Sequence, residues 1–174
     1  MDKFIKIQKQ DFIVTGTSVD PTGSTADLKV TGDLFANVSV GDIVKQDAGN
    51  KYYTVATKID DNELTLTALN AGTTPIVAGQ DFNVYSATSS KSVLVSSANV
   101  KLVEQLGTRS VTIAYDDPAS GSDVVTITHA PLPSGEETMR DEIAEAVYKS
   151  LQTAWNQVVY TVSLSKKVVE IGIG

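Results

Sequence analysis

The amino-acid sequence predicts a mainly β protein whose C-terminal half is α+β, with an antiparallel sheet packed against one long helix. Short β-branched segments recur between polar turns roughly every eight to twelve residues, which is typical of a small barrel or sandwich. Only residues 134–158 place apolar side chains at the spacing of a long helix. Of the 174 residues, 41% are hydrophobic, which is enough to bury a core.

The first 87 residues are predicted to form a small β-barrel or sandwich. Three short segments rich in β-branched residues come first, at residues 4–7, 12–14 and 26–31. The clearest meander runs from Val38 to Ala68, where a Gly-Asn turn and the turn Asp60–Asn62 separate segments of alternating polarity. Residues 81–86 supply a further strand after a loop. Alternation of this kind predicts that one face of each strand is buried in a common core.

The small, polar stretch Ala87–Ser92 has no periodicity and is the predicted boundary between two modules. The second module, residues 92–174, has strands on both sides of the predicted helix. The strands before the helix are expected at residues 93–95, 100–103, 109–115 and 123–129. Those after it are expected at residues 158–164 and 168–173, with a turn at residues 165–167. This order predicts an antiparallel sheet with the helix on one face.

The helix of the second module is predicted over about residues 135–158. Ser134 and Glu137 have the spacing of a capping box. The predicted apolar stripe consists of Met139, Ile143, Val147, Leu151, Ala154, Trp155 and Val158. We expect the whole stripe to pack on the sheet, so that a charge at Leu151 would unfold the module.

Charge and composition argue against several classes of protein. The 14 Lys and Arg against 21 Asp and Glu give a net charge of −7, which disfavours binding to a nucleic-acid backbone. The chain has no Cys, so it forms neither disulfides nor thiolate metal sites. No apolar run reaches the roughly 18 residues of a membrane span, and the N-terminus lacks the apolar core of a signal peptide. We expect no nucleic-acid or membrane partner, and synthesis and assembly in a cytoplasm.

No residue pattern indicates a catalytic, cofactor-binding or metal site. His129 is the only histidine, and no nucleophile motif accompanies it. We expect a structural or surface role for His129, with pH sensing at a subunit contact as the alternative. The chain also has no glycine-rich phosphate loop and no dinucleotide fingerprint. The sequence therefore favours a protein that is not an enzyme.

Three acidic clusters have ordinary structural explanations. The loop Asp116–Asp123 carries three Asp and Ser120, which Ca²⁺ accepts as ligands, but its Asp-Pro and Ser-Gly pairs are typical of hairpin loops. The other clusters lie at a predicted turn (Asp60, Asp61 and Glu63) and at the predicted helix start (Glu136, Glu137, Asp141 and Glu142). Acids at a helix N-terminus are stabilised by the helix dipole. Cation binding by the Asp116–Asp123 loop is the alternative left open.

One stretch of the first module has a recognisable pattern. The run VGDIVKQDAGNKYYTVATKIDDNELTLTAL at residues 40–69, followed by GQDFNVYSA at 79–87, resembles a small β-barrel module of structural proteins from tailed bacteriophages. The RSVTIAY strand, the helix and the closing KVVEIGIG strand are also similar to small phage virion proteins. The resemblance implies a virion protein without catalytic residues. It does not select among capsid decoration, neck and tail components, since the module occurs in all three.

The leading hypothesis is a non-enzymatic virion structural protein, namely a capsid-associated decoration or cement protein that acts through protein-protein contacts. The first alternative is a neck or tail component, such as a connector, adaptor or tail protein. The second is a glycan-binding or host-surface-binding module. The expected partners are other virion proteins, above all the capsid shell, and further copies of the same chain. We expect no cofactor.

The first and last strands are the predicted interaction segments. The residues concerned are Phe4, Ile5, Ile7, Val168, Val169, Ile171 and Ile173. Both segments lie near the chain ends and are apolar at alternate positions. Unpaired edge strands of this kind promote association with another chain.

Overall fold

The computed structural model describes residues 2–20, 27–69, 76–89, 91–115 and 123–174. Within these residues the chain is mainly β, and the predicted fold class is confirmed. The described strands form three sheets, and the α-helix among the described residues packs on sheets of the C-terminal half. The elements are β1 (Phe4–Lys9), β2 (Phe12–Thr17), β3 (Leu28–Lys29), β4 (Ile43–Gln46), β5 (Lys51–Lys58), β6 (Glu63–Ala68), β7 (Asp81–Tyr85), β8 (Lys91–Ser96), β9 (Leu102–Leu106), β10 (Ser110–Ala114), β11 (Val124–His129), α1 (Thr138–Gln152), β12 (Val159–Thr161) and β13 (Val168–Ile173).

The chain divides into two compact units. The inserted unit is Gln10–Ser89, and the terminal unit combines Met1–Lys9 with Ser90–Gly174. The second division point falls inside the predicted boundary at residues 87–92, but residues 1–9 belong to the terminal unit rather than to the first module. The physical reason is that β1 pairs with β8 and β12, far along the chain. Periodicity predicts a strand without indicating its partner.

The inserted unit is a half-barrel built on one antiparallel sheet of order β2-β7-β4-β5-β6-β3. The main-chain N–H of Val19 donates to the carbonyl of Lys29 at 2.8 Å, which links the end of β2 to β3 at the opposite edge. The core inside this curved sheet contains Leu28, Val30, Phe35, Val38, Val44, Tyr53, Val55, Leu64, Leu66, Ile76, Phe82 and Val84. The predicted Gly-Asn turn joins β4 to β5, where Gly49 adopts a φ of 71°. A positive φ of this size favours glycine, because glycine has no Cβ to clash with the main chain.

The terminal unit has two sheets and α1 around a single core. One sheet has the order β12-β1-β8, and the other has the order β13-β11-β10-β9. The strand β1 is central in its sheet, parallel to β12 and antiparallel to β8. Both sheets and α1 contribute to the core, whose buried members are Ile5, Ile7, Val95, Val111, Ile113, Val125, Ile127, Leu132, Met139, Ile143, Ala146, Val147, Val162 and Val168.

The helix α1 is shorter than predicted, and its buried face is different. It spans Thr138–Gln152, its N-cap is Glu137 without a side-chain capping bond, and the predicted capping box from Ser134 does not form. The buried helix residues are Met139, Ile143, Ala146, Val147 and Ser150. Leu151 and Trp155 are 52% and 79% exposed, so the prediction for the end of the stripe is wrong.

The reason lies in the helical period. Each four-residue step turns about 40° beyond a full turn. The series from Met139 through Ile143 and Val147 therefore rotates out of the contact face before it reaches Leu151. The final positions of the predicted stripe also lie beyond the last helical residue, Gln152.

We predict that Ile143→Ala lowers the free energy of unfolding of the terminal unit by about 2–5 kcal/mol, because it leaves a cavity in the core. Leu151→Asp should change it by less than about 0.5 kcal/mol, since that side chain faces solvent. Denaturant titration followed by circular dichroism measures both. A Leu151→Asp protein that fails to fold would show that Leu151 belongs to the buried face of α1.

Candidate interaction surface

The predicted interaction residues differ widely in their accessibility. Ile5 and Ile7 are fully buried, because β1 has a strand on each side and is not an edge. Val168 and Val169 are buried as well, whereas Phe4 and Ile171 are half-buried. The strand β13 is an edge of its sheet, and its Ile173 is 76% exposed. Within one copy of the chain, Ile173 is therefore the most accessible of the seven.

A second group of exposed apolar side chains lies at the C-terminal end of α1. Tyr148 and Leu151 share one face of the helix and are 62% and 52% exposed. Trp155 follows in the adjoining loop. The sequence pattern placed Leu151 and Trp155 in the core stripe, so it missed this surface. The available signal was that the stripe continued for longer than one helix face allows.

Lys3 fastens the loop that carries Trp155 to the start of β1. The Lys3 ammonium donates to the carbonyls of Ala154 and Gln157, each at 2.7 Å. It also lies 2.9 Å from Oγ1 and 3.2 Å from the carbonyl oxygen of Thr153. Thr153 is the C-cap of α1 and the other two carbonyls lie in the loop beyond it, so one ammonium group bonds to the helix end and to the loop together. The exposed indole therefore stands on a loop that is tied down.

A groove of ≈ 200 Å³ lies between α1 and the strand β12. Its lining comprises Glu142, Glu145, Ala146 and Lys149 from α1, and Tyr160, Thr161, Val162 and Ser163 from the chain at β12. Lys149 and Glu145 form an ion pair of 2.6 Å, and Glu142 Oε2 accepts the Ser165 N–H at 2.9 Å. The lining is thus mostly polar, with charges of both signs.

His129 is fully buried in a hydrogen-bonded position at the end of β11. Its Nδ1 lies 2.8 Å from the Ala130 carbonyl, and its Nε2 lies 3.1 Å from Gln105 Nε2. Because a carbonyl oxygen can only accept, Nδ1–H donates to Ala130, and in the neutral ring Nε2 is then an acceptor that faces the Gln105 amide nitrogen. Burial lowers the pKa of His129 from its usual 6.5, with a smaller lowering by Lys166 and opposing contributions from Ala130 and Glu142. The geometry thus fits the neutral imidazole.

The acidic clusters are used in local structure where the structure describes them. Asp60 Oδ1 accepts the Asn62 N–H at 2.8 Å, and Asp61 pairs with Lys58 at 2.7 Å. Glu137 and Asp141 both pair with Arg140. Of the loop Asp116–Asp123, residues 116–122 lie outside the described residues, so its cation binding stays a prediction. Across the described ranges no group of three or more His, Cys, Asp or Glu could hold a metal ion.

No protein-family model, curated protein or solved structure matches the chain. The helix among the described residues is not long and apolar enough to cross a membrane. We therefore infer the function from the residues and their geometry.

We predict that Lys3→Met destabilises the terminal unit by about 1–3 kcal/mol, because carbonyl groups that bond to a charged donor lose it. Hydrogen exchange at residues 153–157 should accelerate. Lys101→Met removes an exposed lysine from the same unit and is the matched control. Unchanged hydrogen exchange at residues 153–157 in the Lys3→Met protein would show that Lys3 does not hold this loop in place.

We predict that the protein loses stability as the pH falls through the ordinary histidine range. The pKa of His129 is lower in the folded state than the 6.5 of an ordinary histidine, so the unfolded chain binds the proton first. The stabilisation is therefore complete above pH 6.5 and declines as the pH falls towards the folded pKa. Urea titrations between about pH 7 and pH 5 measure this slope. His129→Gln should have a shallower slope, and parallel curves would contradict the assignment.

Proposed function

We propose that the protein is a non-enzymatic structural protein of a tailed-bacteriophage virion, where it binds the capsid shell as a decoration or cement protein. The observation that carries the proposal is the fold of the stretch that resembles the phage module. Residues 40–69 and 79–87 include β4, β5, β6 and β7, which are neighbours in the order β7-β4-β5-β6. The resembling residues thus form one continuous part of the half-barrel rather than scattered segments.

The surface of the terminal unit supports a role in protein-protein contact. Trp155, Tyr148 and Leu151 are exposed at the end of α1, and Ile173 is exposed on an edge strand. Aromatic side chains are enriched at the energetic centres of protein interfaces, because they bury a large area at a small cost in conformational entropy. A loop fixed by Lys3 presents the indole without the entropy loss of ordering a mobile segment. In this proposal the protein assembles in the host cytoplasm, forms a homo-oligomer and remains in the virion.

One observation favours a second function, the binding of a glycan or host surface. The exposed indole of Trp155 is followed by the exposed amides of Asn156 and Gln157. An aromatic face can stack on the apolar face of a sugar, and amides can bond to its hydroxyl groups. This surface could therefore serve a binding module as well as a shell contact.

The proposal predicts a high copy number in purified phage particles. Quantitative mass spectrometry should detect on the order of hundreds of copies per particle for a protein that covers the shell. About six or twelve copies would instead indicate a neck or tail component. Absence from particles would overturn the proposal. Glycan-array binding that Trp155→Ala abolishes would then favour the second function.

A further inference from the structure

The strand β12 has an open edge. Its only strand partner within the described residues is β1, and the ladder is parallel. Phe4 N–H donates to the Val158 carbonyl at 2.9 Å, and Val162 N–H donates to the Lys6 carbonyl at 3.0 Å. Because main-chain groups alternate in direction along a strand, Val159 and Thr161 point theirs away from β1. In the described ranges no strand pairs with the side of β12 that faces away from β1. Its unpaired main-chain groups can bond to another strand.

The groove beside this edge has a defined alignment of charges. Lys149 lies by Tyr160, where both line the groove, and Glu142 bonds to the main chain of Ser165. The helix α1 therefore runs antiparallel to β12. On this alignment, Thr161 of β12 lies beside the part of α1 between Glu145 and Lys149. The two residues thus lie on opposite sides of Thr161 along the edge, and their carboxylate and ammonium groups pair with each other at 2.6 Å.

We propose that β12 pairs with β12 of a second copy of this chain, antiparallel, about a two-fold axis beside Thr161. The N–H and carbonyl of Thr161 then bond to Thr161 of the second copy, and Val159 pairs with Ser163 of the second copy. In an antiparallel ladder each such hydrogen-bonded pair exchanges both main-chain bonds. The two three-stranded sheets join into one continuous sheet.

The charges of α1 favour a second copy as the occupant. A two-fold axis at Thr161 turns the Glu145–Lys149 ion pair of each copy towards the reversed pair of the other. Each carboxylate then faces the ammonium group of the second copy as well as its own. The strand itself is Val-Tyr-Thr, which has high β propensity and carries no charge or proline to block pairing. A strand from a different protein would not bring a second Glu145 and Lys149 to face the same two residues of this chain. The inference rests on the proposed homo-oligomer, but not on which particle the oligomer joins.

Analytical ultracentrifugation of the purified full-length protein tests the pairing. The wild type should be a dimer at micromolar concentration. Thr161→Pro should be a monomer with unchanged circular dichroism, because the Thr161 N–H points away from β1 and proline is tolerated at a strand edge. Thr161→Val retains the N–H and should remain a dimer. A wild type that is monomeric up to about 100 µM, or a dimeric Thr161→Pro, would overturn the proposal.

A charge swap tests the same axis without altering the backbone. Lys149→Glu should weaken the dimer by about tenfold or more, because it places like charges opposite each other. The control Lys101→Glu makes the same change of charge at another exposed lysine of the unit and should have no effect. The double variant Glu145→Lys, Lys149→Glu restores complementarity and should restore the dimer. Failure of that rescue would overturn the alignment, whereas the copy number in particles separately decides the proposed function.

Discussion

The terminal unit depends on the pairing of β1 with strands on both of its sides. Ile5 and Ile7 are fully buried between the sheet and α1, although they lie at the start of the chain. Their partners β8 and β12 are distant in sequence, so this sheet forms only when the beginning and the end of the chain meet. The inserted unit occupies the connection between β1 and β8, two strands that are neighbours in the sheet. One central strand thereby determines both the sheet and the division of the chain.

The residue that precedes β1 also contacts the chain at the C-terminal end of α1. Lys3, immediately before β1, satisfies the carbonyl groups that follow α1, and the chain turns away from the helix at Thr153. The core accepts only the face of α1 centred on Ile143, and Tyr148, Leu151 and Trp155 remain in solvent. The apolar residues of the first half of α1, such as Met139 and Ile143, are buried, whereas Tyr148 and Leu151 near its C-terminal end are exposed. This change along α1 separates the residues that stabilise the unit from those available to a partner.

The two surfaces of the terminal unit suit different kinds of contact. The edge of β12 offers main-chain groups, with the charges of α1 beside them, and we propose that a second copy of the chain pairs there. The end of α1 exposes an indole, a phenol and a leucine side chain, the kinds of side chain that are available for contact with another molecule. In a decoration protein the first would assemble the oligomer and the second would hold it on the shell. The buried His129, at the end of β11, belongs to neither surface.

The sequence by itself determined the mainly β class, the presence of a helix in the C-terminal half and the turn at Gly49. These features depend on periodicity, turn residues and polarity, which are properties of residues close together in the sequence. Only the tertiary structure decided that β1 is a central strand, that α1 ends at Gln152 and that Trp155 is exposed. Each of these depends on contacts between distant residues, such as Phe4 with Val159 and Lys3 with Gln157. A hydrophobic pattern indicates that a face is buried, but the partner that buries it is chosen by the whole chain.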